Sequence, residues 1–224
     1  MRHEVTTRRV LYEIPGMRSV RARQEAFAGA DGQPLAMAIY DAPAPLAEPS
    51  PVVVLIAGYP DAGFEKHLGC KFMDMEWAIS MAQLIAMSGM TAITHTNREP
   101  SADAAALIKH LTAGGRRVGI WATSGHSPVA LSMADHATCT VLTNPMTSDL
   151  LPQTPLLIVR SGKDETPGLN AALDTLLARA IAENRPISLV NYPDAPHAFD
   201  IHLEGAETRR ILKQGLDFLR AHLR

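Results

Sequence analysis

The residues of this chain best suited to chemistry gather around Ser124, in the stretch Arg117-Val-Gly-Ile-Trp-Ala-Thr-Ser124-Gly-His-Ser-Pro-Val-Ala-Leu131. Val118 and Ile120 belong to a short apolar run of the kind that forms a buried strand, Gly125 supplies a tight turn, and Val129, Leu131 and Met133 open a helical pattern. A serine on such a corner lifts its hydroxyl above the sheet edge, and the first amides after the turn face the carbon it attacks. That arrangement suits acyl chemistry, in which the serine adds to a carbonyl and the amides hold the negative charge that develops on oxygen. Small residues are expected two places before and two places after the serine, where strand and helix pass closely. Here those places hold Ala122 and His126. The imidazole must project sideways or push the helix outward, so His126 is read in three ways: lining the pocket, packed on the helix, or closing the corner. Ser127 is the rival nucleophile. It would put Pro128 directly behind the attacking residue, where an amide is needed and proline has none, so the corner is assigned to Ser124.

A serine hydroxyl needs a base to take its proton and an acid to orient the base. Both follow in the chain. Pro155-Leu-Leu-Ile-Val-Arg-Ser-Gly-Lys-Asp164 is an apolar run ending in a glycine turn that carries an acid, with Glu165 beside it as the alternative. Ile187-Ser-Leu-Val-Asn-Tyr-Pro-Asp-Ala-Pro-His197 is a further strand, then a loop carrying a histidine. His197 is expected to take the serine proton while Asp164 fixes its tautomer, and activity should fall on acidification because the base works only when neutral. His67, His95, His110, His136 and His202 are isolated and lack zinc-ligand spacing, so they are read as structural and no metal is expected. Asp61, Glu65 and Lys66 follow an apolar run; Asp61 is taken as a substrate contact, with solvated loop charges as the plainer reading. The methionine-rich stretch beginning Phe72-Met-Asp-Met-Glu-Trp77 reads as core packing beneath a helix, with Phe72 and Trp77 near enough to the corner to wall a pocket.

These motifs give the chain a resemblance to the α/β-hydrolase superfamily, on its dienelactone-hydrolase-like and serine-esterase side. The resemblance runs from about residue 52 to residue 224. It rests on Val52-Val-Val-Leu-Ile-Ala-Gly-Tyr-Pro60, the corner at Ser124, the Ser-Gly-Lys-Asp164 turn, and Ala-Pro-His197-Ala-Phe199. The order Ser124, Asp164, His197 is the order in which that fold supplies its triad. The resemblance implies that Gly58-Tyr59 stands in place of the His-Gly-type loop, so that the Tyr59 amide joins the Gly125 amide as the oxyanion hole. Dienelactone hydrolases carry cysteine where Ser124 stands, which removes the ground for a lactone substrate and leaves acyl transfer intact.

The elements needed to position these groups alternate between strand and helix, which predicts an α/β fold with a mostly parallel central sheet and helices on both faces. Two extended runs within residues 20–40 flank Gly29-Ala-Asp-Gly-Gln-Pro34 and predict an antiparallel hairpin; a proline-rich linker then leads to the core at residue 52. Helices are predicted at about 73–88, 102–112, 125–134, 169–183 and 207–222, and residues 61–74 are read as a loop. Only residues 144–154 separate the strand after the Ser124 helix from the next one, which leaves no room for a large cap domain. Residues 1–224 are read as one domain, with strands and linker in 1–51 and the catalytic core in 52–224.

With 20% charged residues and a formal net charge of −2, the chain has neither the basic excess of a nucleic-acid binder nor an acidic tail, so a small-molecule acyl substrate is the expected partner. No apolar run approaches the ~20 residues of a membrane span, and Cys70 and Cys139 lack metal-ligand spacing. A soluble cytoplasmic protein without organic cofactor is expected, as a monomer or a homo-oligomer. The expected activity is that of a serine hydrolase acting on a small ester through an acyl-enzyme. A peptidase or acyltransferase on the same triad, and a non-catalytic binding protein with this fold, are the alternatives.

Overall fold

A computed structural model describes residues 2–224. Eight strands form one sheet in the order β1-β2-β4-β3-β5-β6-β7-β8, where β1 is Arg23–Ala28, β2 Pro34–Tyr40, β3 Val52–Leu55, β4 Thr91–His95, β5 Val118–Thr123, β6 Cys139–Thr143, β7 Leu156–Ser161 and β8 Ile187–Tyr192. The hairpin β1–β2 joins β4 antiparallel, and every pairing from β4 through β8 is parallel. Parallel strands are covered on both faces, and β3, β4 and β6 are accordingly buried at every residue. Side chains alternate between two cores: Val53, Leu55, Trp121 and Val141 enter one, while Val52, Val54, Ile120 and Leu142 enter the other.

Helices α2 (Glu76–Met87) and α7 (Ala206–Leu223), the latter following the short α6 (Phe199–His202), close the first core with Met81, Leu84, Ile85, Leu212, Leu216 and Leu219. Helices α3 (Pro100–Ala113), α4 (Ser127–Met133) and α5 (Leu169–Ala182) close the second with Leu107, Ile108, Leu131, Leu173 and Leu176. Residues 144–154 run between β6 and β7 without helix or strand, so no cap is inserted there.

Two local departures from the sequence reading matter for the site. The segment read as a loop contains α1, Asp61–Leu68, preceded by Pro60 and ended by Gly69 at φ 79°, whose amide bonds to the Glu65 carbonyl. Gly63 and the mixed polarity of this short helix hide its period, while the flanking proline and glycine are ordinary helix ends. The helix expected from residue 125 begins at Ser127 instead, after a single 3-10 turn over Ser124–His126. Cys70 and Cys139 are both buried and free, and burial pushes the Cys139 thiol up to about 12. Among the described residues no helix is long and apolar enough to cross a membrane.

Candidate active site

Ser124 sits at the carboxyl end of β5 with φ 50°, in the left-handed region that a residue with a Cβ seldom enters. Such strain persists only where neighbours fix the backbone. The Ser124 carbonyl accepts from the Met146 amide at 3.1 Å, and Thr123 Oγ1 donates to the Thr143 carbonyl at 3.2 Å, so β6 and the loop after it hold the corner. The Ser124 hydroxyl is 2.8 Å from His197 Nε2, and His197 Nδ1 is 2.6 Å from Asp164 Oδ2. The Asp164 carboxylate can only accept from Nδ1–H. That bond selects the tautomer whose Nε2 lone pair faces the serine hydroxyl.

The loops carrying acid and base are tied together by backbone. The Gly162 amide donates to the Tyr192 carbonyl and the Lys163 amide to the Ala195 carbonyl, both at 2.8 Å. The Asp164 side chain is sealed from solvent, whereas about a third of the His197 side chain is exposed. Burial works against the Asp164 charge, yet the hydrogen bonds from His197 and Thr166 outweigh it and hold the carboxyl below its ordinary range. Glu165, the alternative acid, is exposed and makes no bond to His197. Ser127, the rival nucleophile, is fully buried, and its Oγ has no hydrogen-bond partner among the described residues.

The amides of Tyr59 and Gly125 have no acceptor among the described residues. They belong to two segments in close contact: a Cβ on Gly58 would lie 2.6 Å from His126 Cα and 2.8 Å from the Gly125 carbonyl oxygen. A Cβ on Gly125 would lie 2.0 Å from the Tyr59 hydroxyl, so the tyrosine ring lies across the corner. His126 resolves its three readings by projecting sideways beneath this loop. Its Nδ1 accepts the Gly58 amide at 2.7 Å, and its ring packs 4.8 Å from Phe72, 5.5 Å from Tyr59 and 5.7 Å from Phe64, centroid to centroid. Burial lowers its pKa from 6.5 to about 4, which keeps Nδ1 available as an acceptor. Sequence reasoning missed this bond; a bulky residue where a small one is expected, opposite a glycine on the loop it would strike, was the available signal.

Ser124 and His197 open into a pocket of about 220 Å³ whose lining includes Tyr59, Gly125, His126, Phe72 and Trp77. Asp61 is a correction. Although it lies only two residues beyond Tyr59, its side chain turns away, accepts the Asn97 amide at 3.0 Å, and lines a neighbouring depression with Glu65 and Arg98. As the first residue of α1 it is carried to the β4 side of β3, and burial raises its pKa. The Ser124 pocket also takes Val5, Met75, Asp200 and Ile201, none of them singled out by sequence. None of the five isolated histidines lines it, and no group of three His, Cys, Asp or Glu among the described residues is placed to hold a metal ion.

No protein-family model matches the chain, and no curated protein sequence matches it significantly. Solved structures do resemble it. The esterase LipW from Mycobacterium marinum aligns over 91% of this chain and 82% of its own, with a TM-score of 0.69 and 14% identity. A thermostable esterase from Pseudomonas putida aligns over 95% of this chain and 86% of its own, with a TM-score of 0.66 and 12% identity. Dipeptidyl peptidase 4 from Porphyromonas gingivalis aligns over 91% of this chain but 36% of its own, with a TM-score of 0.68 and 15% identity. With the mostly parallel eight-stranded sheet, flanked by helices and without a large cap among the described residues, these likenesses identify the fold of this chain as the α/β-hydrolase fold.

Proposed function

We propose that this protein is a serine hydrolase that cleaves a small ester through an acyl-enzyme. The observation that carries the reading is the continuous line from Ser124 Oγ through both nitrogens of His197 to Asp164, at 2.8 and 2.6 Å. In this reading His197 Nε2 takes the hydroxyl proton as Ser124 Oγ bonds to the ester carbonyl carbon. The oxyanion is received by the Tyr59 and Gly125 amides. Asp164, ionised and sealed from water, stabilises the imidazolium until His197 passes the proton to the departing alkoxide. Water then enters, loses its proton to His197, and releases the acid from Ser124 in the same steps reversed.

The pocket's size supports a substrate of few carbons, since about 220 Å³ is below the usual range for drug-sized ligands. We read the chain as lying on the dienelactone-hydrolase-like side of the fold, from its capless β6–β7 connection and the Ala-Pro-His197-Ala-Phe199 loop, with serine replacing that group's cysteine. We take its substrate to be a soluble small molecule and its compartment to be the cytoplasm. The esterases among the structural neighbours favour ester over amide cleavage. The best support for the non-catalytic alternative is a His126 that closes the corner, and against it the side chain is engaged with Gly58. The test is release of p-nitrophenol from acetyl, butanoyl and octanoyl esters. Turnover that favours the short acyl groups and disappears in Ser124→Ala supports the reading. No turnover of any of them by folded wild-type protein overturns it.

A further inference from the structure

The pocket beside Ser124 contains an acid that the proposed reaction does not use. Asp200 is 1% exposed, yet it lines the same pocket as Ser124 and His197. Its backbone and one carboxyl oxygen are both fixed. The Leu11 amide donates to its carbonyl at 2.7 Å, and Trp77 Nε1 donates to Oδ2 at 2.6 Å from 123 positions away in the chain. Among the described residues, only its own backbone amide besides Trp77 Nε1 donates to this carboxyl, and neither donor carries a charge. No lysine or arginine lines the pocket, and none of the described ion pairs includes Asp200. Apart from the imidazoles, the rest of the lining is mostly apolar: Val5, Phe72, Met75, Trp77, Ala198 and Ile201.

A carboxyl group in such surroundings is costly when ionised and unpaired. Burial accordingly raises the Asp200 pKa, opposed by the Trp77 bond, by the bond from its own backbone amide, and by the nearby imidazoles of His202 and His197. Of the pocket's other titratable groups, His126 is engaged with Gly58 and His197 with Ser124 and Asp164. What the carboxyl lacks is a counter-charge, and a bound molecule can bring one.

We propose that Asp200 is a specificity-determining residue that selects esters carrying a protonated amino group, pairing that group with a pocket carboxyl that has no Lys or Arg beside it. This rests on the hydrolase reading above and names its substrate class. A purely structural role, clamping Trp77 to the segment after His197, needs only an acceptor, which asparagine also supplies.

The test measures binding by calorimetry on Ser124→Ala, which needs no turnover. Ethyl esters of glycine, β-alanine and 4-aminobutyrate are compared with those of propanoate, butanoate and pentanoate, in which a methyl group replaces the ammonium. A second series places the charge on the alcohol, as 2-(dimethylamino)ethyl acetate against 3-methylbutyl acetate. At least one ammonium ester is expected to bind roughly tenfold or more tightly than its isostere, with the margin abolished by Asp200→Asn in the same background. Equal binding in every pair overturns the inference, as does a margin that survives Asp200→Asn. Should Asp200→Asn fail to fold, Trp77→Phe removes the indole donor while keeping the carboxyl, and the margin is expected to persist. Its loss there would assign selection to the indole face and overturn the role of Asp200. Failure of the wild-type protein to hydrolyse plain esters would sink the hydrolase reading, while the binding comparison would still decide the preference for amines.

Discussion

One wall of the Ser124 pocket is made largely by backbone, and the remaining wall by side chains from distant segments. In the first, Ser124 and Gly125 on the β5 corner meet Gly58 and Tyr59 at a backbone approach that excludes a Cβ on Gly58, while the Tyr59 ring lies where a Cβ on Gly125 would go, and His126 ties the two segments by one hydrogen bond. In the second, Val5 comes from the N-terminal segment, Met75 and Trp77 from the start of α2, and Asp200 and Ile201 from the residues after His197. The proposed reaction demands one geometry of the backbone wall, with the two amides held at the corner. The side-chain wall can vary in shape while the chemistry stays, so substitutions there should redirect binding and those on the first wall should stop turnover.

The sharpest break in this comparison is at the triad. Ser124→Ala is expected to lower kcat roughly 10⁶-fold and Asp164→Asn roughly 10⁴-fold with little change in KM, measured on short p-nitrophenyl esters. Glu165→Gln, at an exposed position outside the relay, serves as the control. Gly58→Ala comes next. Its methyl group would meet backbone of His126 and Gly125 within 2.8 Å, which no side-chain rotation relieves, so kcat should fall on the order of 10²-fold as the Tyr59 amide is displaced. Gly125→Ala meets only the end of the Tyr59 ring, which can swing aside, and its effect should be smaller. Equal effects of the two glycine changes would contradict the close backbone approach as the wall's defining feature.

His126→Phe keeps a ring but leaves the Gly58 amide without its acceptor. A roughly tenfold loss in kcat is expected, together with about 1–3 kcal/mol of stability, and His126→Asn should recover part of both. The same residue links the wall to pH. Its folded pKa, about 4, lies below the 6.5 of an unperturbed histidine, so the unfolded chain takes up the proton first as pH falls. The stabilising contribution is complete above pH 6.5 and is lost as pH falls from 6.5 through 4, a change on the order of 3 kcal/mol. Denaturant unfolding at several pH values should show a shallower acid loss in His126→Phe than in wild type. On the side-chain wall, Ile201→Ala should change KM and the preferred substrate length by a few fold and leave kcat on the best substrate within a factor of about three. A loss in kcat as large as that of Gly58→Ala would erase the distinction between the walls.

The same division explains what was legible in the sequence. Buried parallel strands read as continuous apolar runs, so Val52–Leu55, Leu156–Ser161 and the strand before Ser124 stood out, and Gly29 to Pro34 announced the hairpin. Ser124, Asp164 and His197 each stand on a short motif at a strand's end, which local pattern can reveal. The side-chain wall has no such motif. Val5, Asp200 and Ile201 meet only after α2, β8 and the N-terminal segment have packed, and the Asp200–Trp77 bond spans 123 positions. Asp61 misled for the converse reason: nearness in sequence to Tyr59 placed it by the pocket, while the turn into α1 carried it to the far side of β3.

The central claim, that Ser124 is a nucleophile activated by His197, is tested most directly by mass spectrometry after reaction with a fluorophosphonate probe. The account predicts one covalent adduct on Ser124, absent in Ser124→Ala, strongly slowed in His197→Ala and retained in Ser127→Ala. Folded wild-type protein that carries no adduct, or carries it on Ser127, would contradict it.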